Sequence, residues 1–423
     1  MRIIPSRLKF LLFLASALVL PSPALGTESL IKRPLWAAIH SVSTVICRPL
    51  LIFVSEEKDM LNQERIMLLV TENCNLRCRY CYEHKKSAKQ MTFKIAKSIL
   101  DSTLRNFTTN TPIVIELFGG EAFANFSLIR KIDTYLQQNY SYLNIKYETT
   151  TNGTLVHGEI KEWLYQHKDQ FFIALSLDGT KKMHDLNRRF IHGASSFDAI
   201  DITFFSRTWP GCPAKMTISE QTLPYLAKGV AYLDSLGFRC DATLSIGVNW
   251  DQEKNLPILI KELNKLVDYY TKHPELPLCT MLNQDLRLIF TPINEDYRFC
   301  GAGLDMTCFD SEGCAYPCQG FAPVSIGDNA QEYRNFDEKK FRFTIDNPCK
   351  TCPWVRLCPN CYAANLQSTG DIQKVDPHLC QFYKMCILAS AKIQYRRILQ
   401  KKILTHDDQL ILKAISCIQN TLK

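Results

Sequence analysis

From residue 66 onward the hydrophobic positions alternate between two textures. The unbroken apolar run Ile66-Met67-Leu68-Leu69-Val70 reads as a buried strand that runs into a loop. Phe93, Ala96, Leu100, Leu104 and Phe107 then recur at helical spacing. The same couplet repeats. Residues 113–118 predict a second strand, and Ile129, Ile132 and Leu136 mark the helix after it. Residues 146–151 predict a third strand, followed by a helix opening on Ile160, Trp163 and Leu164, and 171–177 a fourth. Strands over 215–219 and 242–248 complete the set, with helices over 223–236, stopped by Gly237, and over 255–270. Six such repeats imply parallel strands joined by right-handed crossovers. The expected fold class is therefore α/β, a partial (β/α)6 TIM-like barrel, with its chemistry at the carboxyl ends of the strands.

From Cys300 the alternation gives way to dense cysteines, and after Cys380 the pattern becomes helical over 383–399 and 407–418. These helices are expected to pack on the barrel. The organisation predicted is a barrel over 60–292, a cysteine-rich extension over 293–382 and C-terminal helices over 383–423.

Residues 1–59 stand apart. Arg2, Arg7 and Lys9 precede an apolar run of 11 residues, Phe10 to Leu20, and Ala24-Leu25-Gly26 offers small residues at cleavage positions, which together resemble a secretory signal. The run is short for a membrane span, and there is no twin arginine to suggest export of a folded protein. An over-extended start, with the protein beginning at Met60 or Met67, is preferred to a membrane anchor aided by the apolar residues 34–54, or to secretion. The expected location is the cytoplasm.

Length and composition narrow the class without choosing a function. The chain has 423 residues, 46% hydrophobic and 22% charged, as for a folded protein larger than one small domain. A net charge of +8 is modest at this length; it suits an acidic peptide or simple solubility. No nucleic-acid stripe, nucleotide loop, Walker motif or zincin motif is present. Of 18 cysteines, 15 lie from Cys74 to Cys380 in no disulfide-scaffold pattern, which fits a reducing compartment.

The most informative stretch is Cys74-Asn-Leu-Arg-Cys78-Arg-Tyr-Cys81, at the end of the first strand. Three thiolates on one loop can converge on a soft metal centre and leave an iron–sulfur cube one ligand short. A zinc site usually pairs C-x2-C with a second such pair nearby, and none follows for a hundred residues. Cys74, Cys78, Tyr80 and Cys81 match the signature loop of the radical S-adenosylmethionine (radical SAM) enzymes, which this chain resembles. That resemblance implies a 4Fe-4S cluster on the three cysteines, whose free iron chelates S-adenosylmethionine and cleaves it reductively to a 5'-deoxyadenosyl radical. It also bears on three strand ends. Gly119-Gly120-Glu121 is similar to the family's GGEP motif with Ala122 in place of proline, so that Glu121 would accept from the cofactor's ammonium group. Asn152 and Ser176 match cofactor-holding positions, and Arg188 is a candidate for the cofactor's carboxylate.

The second cysteine system comprises Cys300, then Gly313-Cys-Ala-Tyr-Pro-Cys318, then Cys349-x2-Cys352-x5-Cys358-x2-Cys361, and last Cys380. Two C-x2-C pairs five apart fit a zinc ribbon or rubredoxin-like site when taken alone. Beside the upstream loop, the whole set resembles the SPASM extension of radical SAM peptide-modifying enzymes, with two auxiliary 4Fe-4S clusters. One spacing departs from that pattern: Pro359 and Asn360 are two residues where the family usually has three. The resemblance implies a first auxiliary cluster on Cys300, Cys318 and Cys361, with Cys308, Cys314 or an open site as the fourth position. It implies a second on Cys349, Cys352, Cys358 and Cys380. Cys47, Cys212, Cys240, Cys279, Cys386 and Cys417 read as core or incidental.

The function expected from this resemblance is a peptide maturase that oxidatively crosslinks a ribosomally made peptide through a thioether or carbon–carbon bond. The first alternative is anaerobic sulfatase maturation, forming formylglycine from Cys or Ser. Those enzymes carry an Asp base after the cysteine matching Cys318, where this chain has Gln319, though another carboxylate such as Asp305 could serve. A second alternative is an iron–sulfur protein that only transfers electrons. No residue is assigned a catalytic role. The partners implied are a peptide or protein substrate and an electron donor such as flavodoxin or ferredoxin, with no nucleic acid, and no membrane unless the N-terminal segment is real.

Overall fold

The computed structural model describes residues 64–421 apart from 106, 108–111, 249, 295, 296, 335, 345 and 346. The signal-like segment, Cys47 and Met60 lie outside the described residues. Six parallel strands, β1 (Glu64–Thr71), β2 (Ile113–Gly119), β3 (Ile145–Thr151), β4 (Phe171–Ser176), β5 (Pro213–Ile218) and β6 (Arg239–Leu244), each pair with their successor. The connecting helices are α1 (Phe93–Leu104), α2 (Phe126–Asn139), α3 (Gly158–Gln166), α4 (Lys181–Asn187), α5 (Ile202–Thr208), α6 (Leu226–Ser235) and α7 (Gln252–Lys272). The (β/α)6 reading holds.

Side-chain alternation divides the sheet into two environments. Ile66, Leu68 and Val70 of β1, Ile115 and Leu117 of β2, Ile173 and Leu175 of β4 and Met216 of β5 share one core with Leu100, Ile132, Leu233 and Leu263 of the helices. Each such side chain contributes roughly 1.5–3 kcal/mol on burial. The alternate positions face inward. Met67, Leu69 and Phe118 pack against Cys308, Tyr316, Phe321 and Tyr362 of the extension, whereas Glu116, Thr150, Ser176, Lys215, Thr217, Asp241 and Thr243 line a cavity. Parallel strands covered on both faces usually read as continuous apolar runs. Here β3, β5 and β6 alternate instead, because their inner face meets a polar space.

Some boundaries differ from the periodicity for local reasons. The sixth strand ends at Leu244, before Ile246 and Val248, because Gly247 turns the chain at φ 69° and buried Trp250 donates to the Ser245 carbonyl at 3.0 Å. The helix expected from 223 opens with a 3-10 turn over Leu223–Tyr225 that contains Pro224, and α6 starts after it. The short helices α4 and α5 carry too few turns to show a period.

The extension joins the same sheet. Strand β7 (Met306–Phe309) pairs parallel with β1, and β8 (Ala315–Tyr316) returns antiparallel, which gives the order β6-β5-β4-β3-β2-β1-β7-β8. Helices α8 (Tyr362–Thr369), α9 (Pro377–Leu399) and α10 (His406–Asn420) follow. Helix α9 begins earlier than its apolar period indicates, since Asp376 caps it by accepting from His378 N and Pro377 occupies the first turn. Phe382, Met385 and Ile393 of α9 sit in the barrel's core, and Ser390 Oγ donates to the Leu282 carbonyl at 2.8 Å. Among the described residues no helix is long and apolar enough to cross a membrane.

Candidate active site

A cavity of about 620 Å3 opens at the carboxyl ends of the strands. Its lining includes Cys74, Cys78 and Cys81 together with Tyr80, Gly119, Gly120, Glu121, Asn152, Ser176 and Arg188. All the cofactor-site residues read from the sequence thus meet around one space. The cysteine loop is sutured to the end of α4 and the chain just after it: Arg77 N donates to the Arg189 carbonyl at 2.8 Å and Arg79 N to that of Asn187 at 2.9 Å.

Burial lifts the Cys74 thiol above its ordinary range and pushes Cys78 up to about 11. Two cations oppose this, Lys86 beside Cys74 and Arg188 beside Cys78. Burial would lower Lys86, but Cys81, Cys74, Glu83 and Cys78 together outweigh it and hold the ammonium above its usual range. Metal binding removes the thiol protons, so Lys86 and Arg188 would then face thiolate charge. Among the described residues, no three His, Cys, Asp or Glu side chains close around a point as a single ion requires. That is compatible with a multi-iron cluster, whose ligands stand at the corners of a cube. Three soft donors, two cations and an adjoining cavity fit an iron–sulfur cluster with one open corner.

The glycines and Glu121 serve the backbone first. A Cβ on Gly119, at φ 150°, would lie 2.0 Å from the Thr71 carbonyl oxygen, and one on Gly120 would lie 2.4 Å from that of Asn73. The pair therefore lets the end of β2 press against the start of the cysteine loop. Glu121, fully buried, accepts from Asn152 N and Thr151 Oγ1, both at 2.8 Å, and from Phe123 N at 3.3 Å. Asn152 in turn donates to Asn75 Oδ1 at 3.0 Å. Three strand ends and the cysteine loop are thereby locked together.

Asp178, at the end of β4, does for the other wall what Glu121 does here. It accepts from Tyr80 Oη at 2.5 Å, Thr217 N at 3.0 Å, Arg188 Nε at 3.1 Å and Asn187 Nδ2 at 3.3 Å. The Arg188 guanidinium lies 5.3 Å from the Tyr80 ring centroid, a cation–π contact. Behind it, His184 is held neutral: burial pushes it down to about 4, its Nδ1 accepts from Asp178 N, and its Nε2 meets Ser196 Oγ at 2.9 Å.

Sequence reasoning missed the organising role of Asp178 and the cavity-lining Glu83, Lys86, Glu116, Lys215 and Asp241. The polar alternation of β5 and β6 signalled the last two, which form an ion pair. Glu116 pairs with Arg65 at 2.9 Å, and burial raises its carboxyl. Gln319, Pro359 and Cys361 of the extension and Tyr383 of α9 close the cavity. Asp305 is not part of the lining.

The later cysteines gather in two groups. Burial, then the neighbouring Cys361 and Cys300 thiols, hold Cys318 above the usual range. Burial, then Cys380, Cys349 and Cys352, do the same to Cys358. Cys308 is buried on β7 and acts on the first group, Cys318 being its main charged neighbour. The Cys314 thiol instead accepts from Arg334. Cys212, Cys240, Cys279 and Cys386 are buried, the last beside the cavity.

These arrangements have counterparts in known proteins. Residues 64–192 match a family model described as a 4Fe-4S single cluster domain. The uncharacterized protein MJ0907 of Methanocaldococcus jannaschii is 32% identical over 214 residues, half of this chain and 72% of that protein. A cysteine-type anaerobic sulfatase-maturating enzyme of Clostridium perfringens is 23% identical over 74% of this chain and 92% of its own length. The radical SAM cyclopropyl synthase TigE of Paramaledivibacter caminithermalis is 22% identical over 76% of this chain and 72% of its own. Among solved structures, native anSMEcpe with bound AdoMet and Cp18Cys peptide superposes with a TM-score of 0.60 at 21% identity, covering 77% of this chain and 95% of that one. With the three-cysteine loop at the head of a partial barrel and the cysteine-rich extension closing it, the chain belongs to the radical SAM enzymes that modify peptides or proteins.

Proposed function

We propose that this enzyme oxidatively crosslinks a ribosomally made peptide through a thioether or carbon–carbon bond. In this reading Cys74, Cys78 and Cys81 hold the radical-generating cluster, and Tyr80, Gly119, Gly120, Glu121, Asn152, Ser176 and Arg188 shape the S-adenosylmethionine site. Cys300, Cys318 and Cys361, with Cys308 as the fourth ligand, hold one auxiliary cluster, and Cys349, Cys352, Cys358 and Cys380 hold another. When bound, these groups supply a 5'-deoxyadenosyl radical that takes one hydrogen atom from a substrate C–H bond, and an acceptor for one electron.

The chain's own contribution is placement and proton handling. Lys86 and Arg188 balance charge beside the thiols, while Glu121 and Asp178 fix the walls, so that a bound substrate meets a preorganised space. A crosslink releases a proton as well as a hydrogen atom. Glu116, on the barrel floor with a raised carboxyl pKa and one oxygen ion-paired to Arg65, is the acceptor we assign.

The observation that carries this reading is Gln319. It stands in the cavity wall directly after Cys318, and an amide cannot take a proton near neutral pH. The competing reading, formylglycine formation, draws on the sulfatase-maturating relatives that align along most of this chain. Intact mass after anaerobic co-expression with a small cysteine-containing peptide encoded nearby separates the two. Crosslinking predicts loss of two hydrogens per site, abolished by Cys74→Ala, with tandem fragmentation excluding a disulfide. An unchanged peptide, with a sulfatase-derived peptide gaining an aldehyde instead, would sink the proposal.

A further inference from the structure

The cysteine loop has a second face. Along it, cavity-lining residues alternate with outward ones: Leu76, Cys78 and Tyr80 line the cavity, whereas Arg77 and Arg79 are exposed. The same alternation holds after α4, where Arg188 lines the cavity and Arg189 is exposed. Two bridges join these segments into one surface. Leu76 pairs with Phe190, and Arg189 with Ser195, so that residues 189–195 form a small flap laid over the loop, with Ile191 at its tip. Ile191 is 65% exposed.

The side-chain partners of Arg79 and Arg189 are neutral. Arg79 donates to Gln221 Oε1 at 3.0 Å, and Arg189 to the Asp185 and Gly193 carbonyls at 2.7 and 2.9 Å. Asp185, the acid of this face, accepts from Ser195 Oγ at 2.8 Å. Three exposed guanidiniums without a carboxylate partner among the described residues thus share the bridged loop-and-flap surface with an exposed isoleucine. Arg77 and Arg79 flank Cys78 in the chain, and Arg189 is tied to the same loop by its carbonyl, which accepts from Arg77 N at 2.8 Å.

We propose that this surface docks an acidic one-electron donor protein. The proposal rests on the reading that Cys74, Cys78 and Cys81 hold a redox cluster. Such a cluster lies on the cavity side of the loop, so the loop's outer face offers the shortest approach that leaves the substrate cavity free. An acidic partner is steered to unpaired surface arginines, which set orientation and on-rate, while Ile191 supplies an apolar contact. The balance is one electron: the donor is oxidised by one, the site is reduced by one, and no bond forms.

The probe is a flavodoxin, an acidic one-electron flavoprotein, titrated against iron-loaded enzyme at several salt concentrations. The charge-reversed variant R77E/R79E/R189E is expected to bind about tenfold more weakly or worse, with a flattened salt dependence. Dithionite, a small reductant, should still drive cofactor cleavage at close to the parent rate. R77K/R79K/R189K should bind like the parent, and Ile191→Asp should weaken binding at every salt concentration. Unchanged flavodoxin affinity in the reversed variant would overturn the proposal. If that variant does not load iron, R77Q/R79Q/R189Q read by the same salt titration decides the matter. Loss of peptide affinity with flavodoxin binding intact would assign the face to substrate and likewise overturn it. Failure of the parent to cleave S-adenosylmethionine with dithionite would be a different result, since it removes the cluster reading itself.

Discussion

The cysteine loop after β1 and the Cys349/Cys352/Cys358/Cys380 group use the same side chain in opposite ways. In the loop, three thiols share a cavity with Tyr80, Glu83, Lys86 and Arg188, and two of those neighbours are cations. In the later group four thiols face mainly one another, with Lys384 as their cationic neighbour, and none of the four lines the cavity. Three donors with space and counter-charge leave a metal position that a small molecule can enter. Four donors packed together close the site, which can then hold structure or pass electrons. The contrast is that similar sets of thiols sit in different company, one open to a cavity and flanked by cations, the other facing itself.

The strongest way to break this contrast is one cysteine at a time. Cys78→Ala should abolish S-adenosylmethionine cleavage, while Cys358→Ala should remove a similar amount of iron, about four atoms per chain, and leave cleavage measurable. Iron content and 5'-deoxyadenosine formation, measured on both variants, check it; equal loss of cleavage in the two would erase the distinction. Next in size is Asp178→Asn. It strands buried Arg188 beside Tyr80 and should cost about 3–5 kcal/mol in denaturant unfolding, whereas a surface pair such as Arg396–Asp268 should cost under about 1 kcal/mol.

His184 sharpens the comparison through pH. Its folded pKa, about 4, lies below the ordinary 6.5, so it supports the fold fully above pH 6.5 and loses that support as pH falls towards 4. The loss amounts to about 3 kcal/mol over that window. His184→Gln should flatten the acid limb of a stability–pH curve; an unchanged limb would assign it to other groups. Smaller again is the effect of Gly120→Ala, whose Cβ must displace backbone at Asn73, at a cost of about 1–3 kcal/mol. Gly193→Ala, with open space around its Cβ, should cost less by thermal denaturation despite its φ of 88°.

Much of this site was legible before any coordinates, because its parts lie where periodicity breaks. Cys74, Gly119, Asn152 and Ser176 each sit at or just past the end of a strand, and parallel topology brings those ends together. The nearness of Cys300, Cys318 and Cys361 to one another was expected from the resemblance to the SPASM extension, since the order of cysteines alone allows other groupings. What remained hidden depended on direction. Lys215 and Asp241 face inward only because β5 and β6 turn their alternate positions to the cavity, and a short polar alternation looks the same on a solvated sheet. Glu121 and the two glycines illustrate the opposite case. Their positions were identified, but their nearest partners are backbone groups of neighbouring strand ends, which no single stretch of sequence reveals.

The pairing of β7 with β1 has a consequence for how the molecule is made. Arg65 lies opposite Met306, so the strand that carries the cysteine loop keeps one edge open until some 240 further residues have left the ribosome. An unpaired, strongly apolar edge is a template for wrong association, and contacts of such long range form late. The sheet edge beside the cysteine loop is therefore completed only by the last third of the chain, and a nascent barrel lacking its extension leaves that apolar edge exposed.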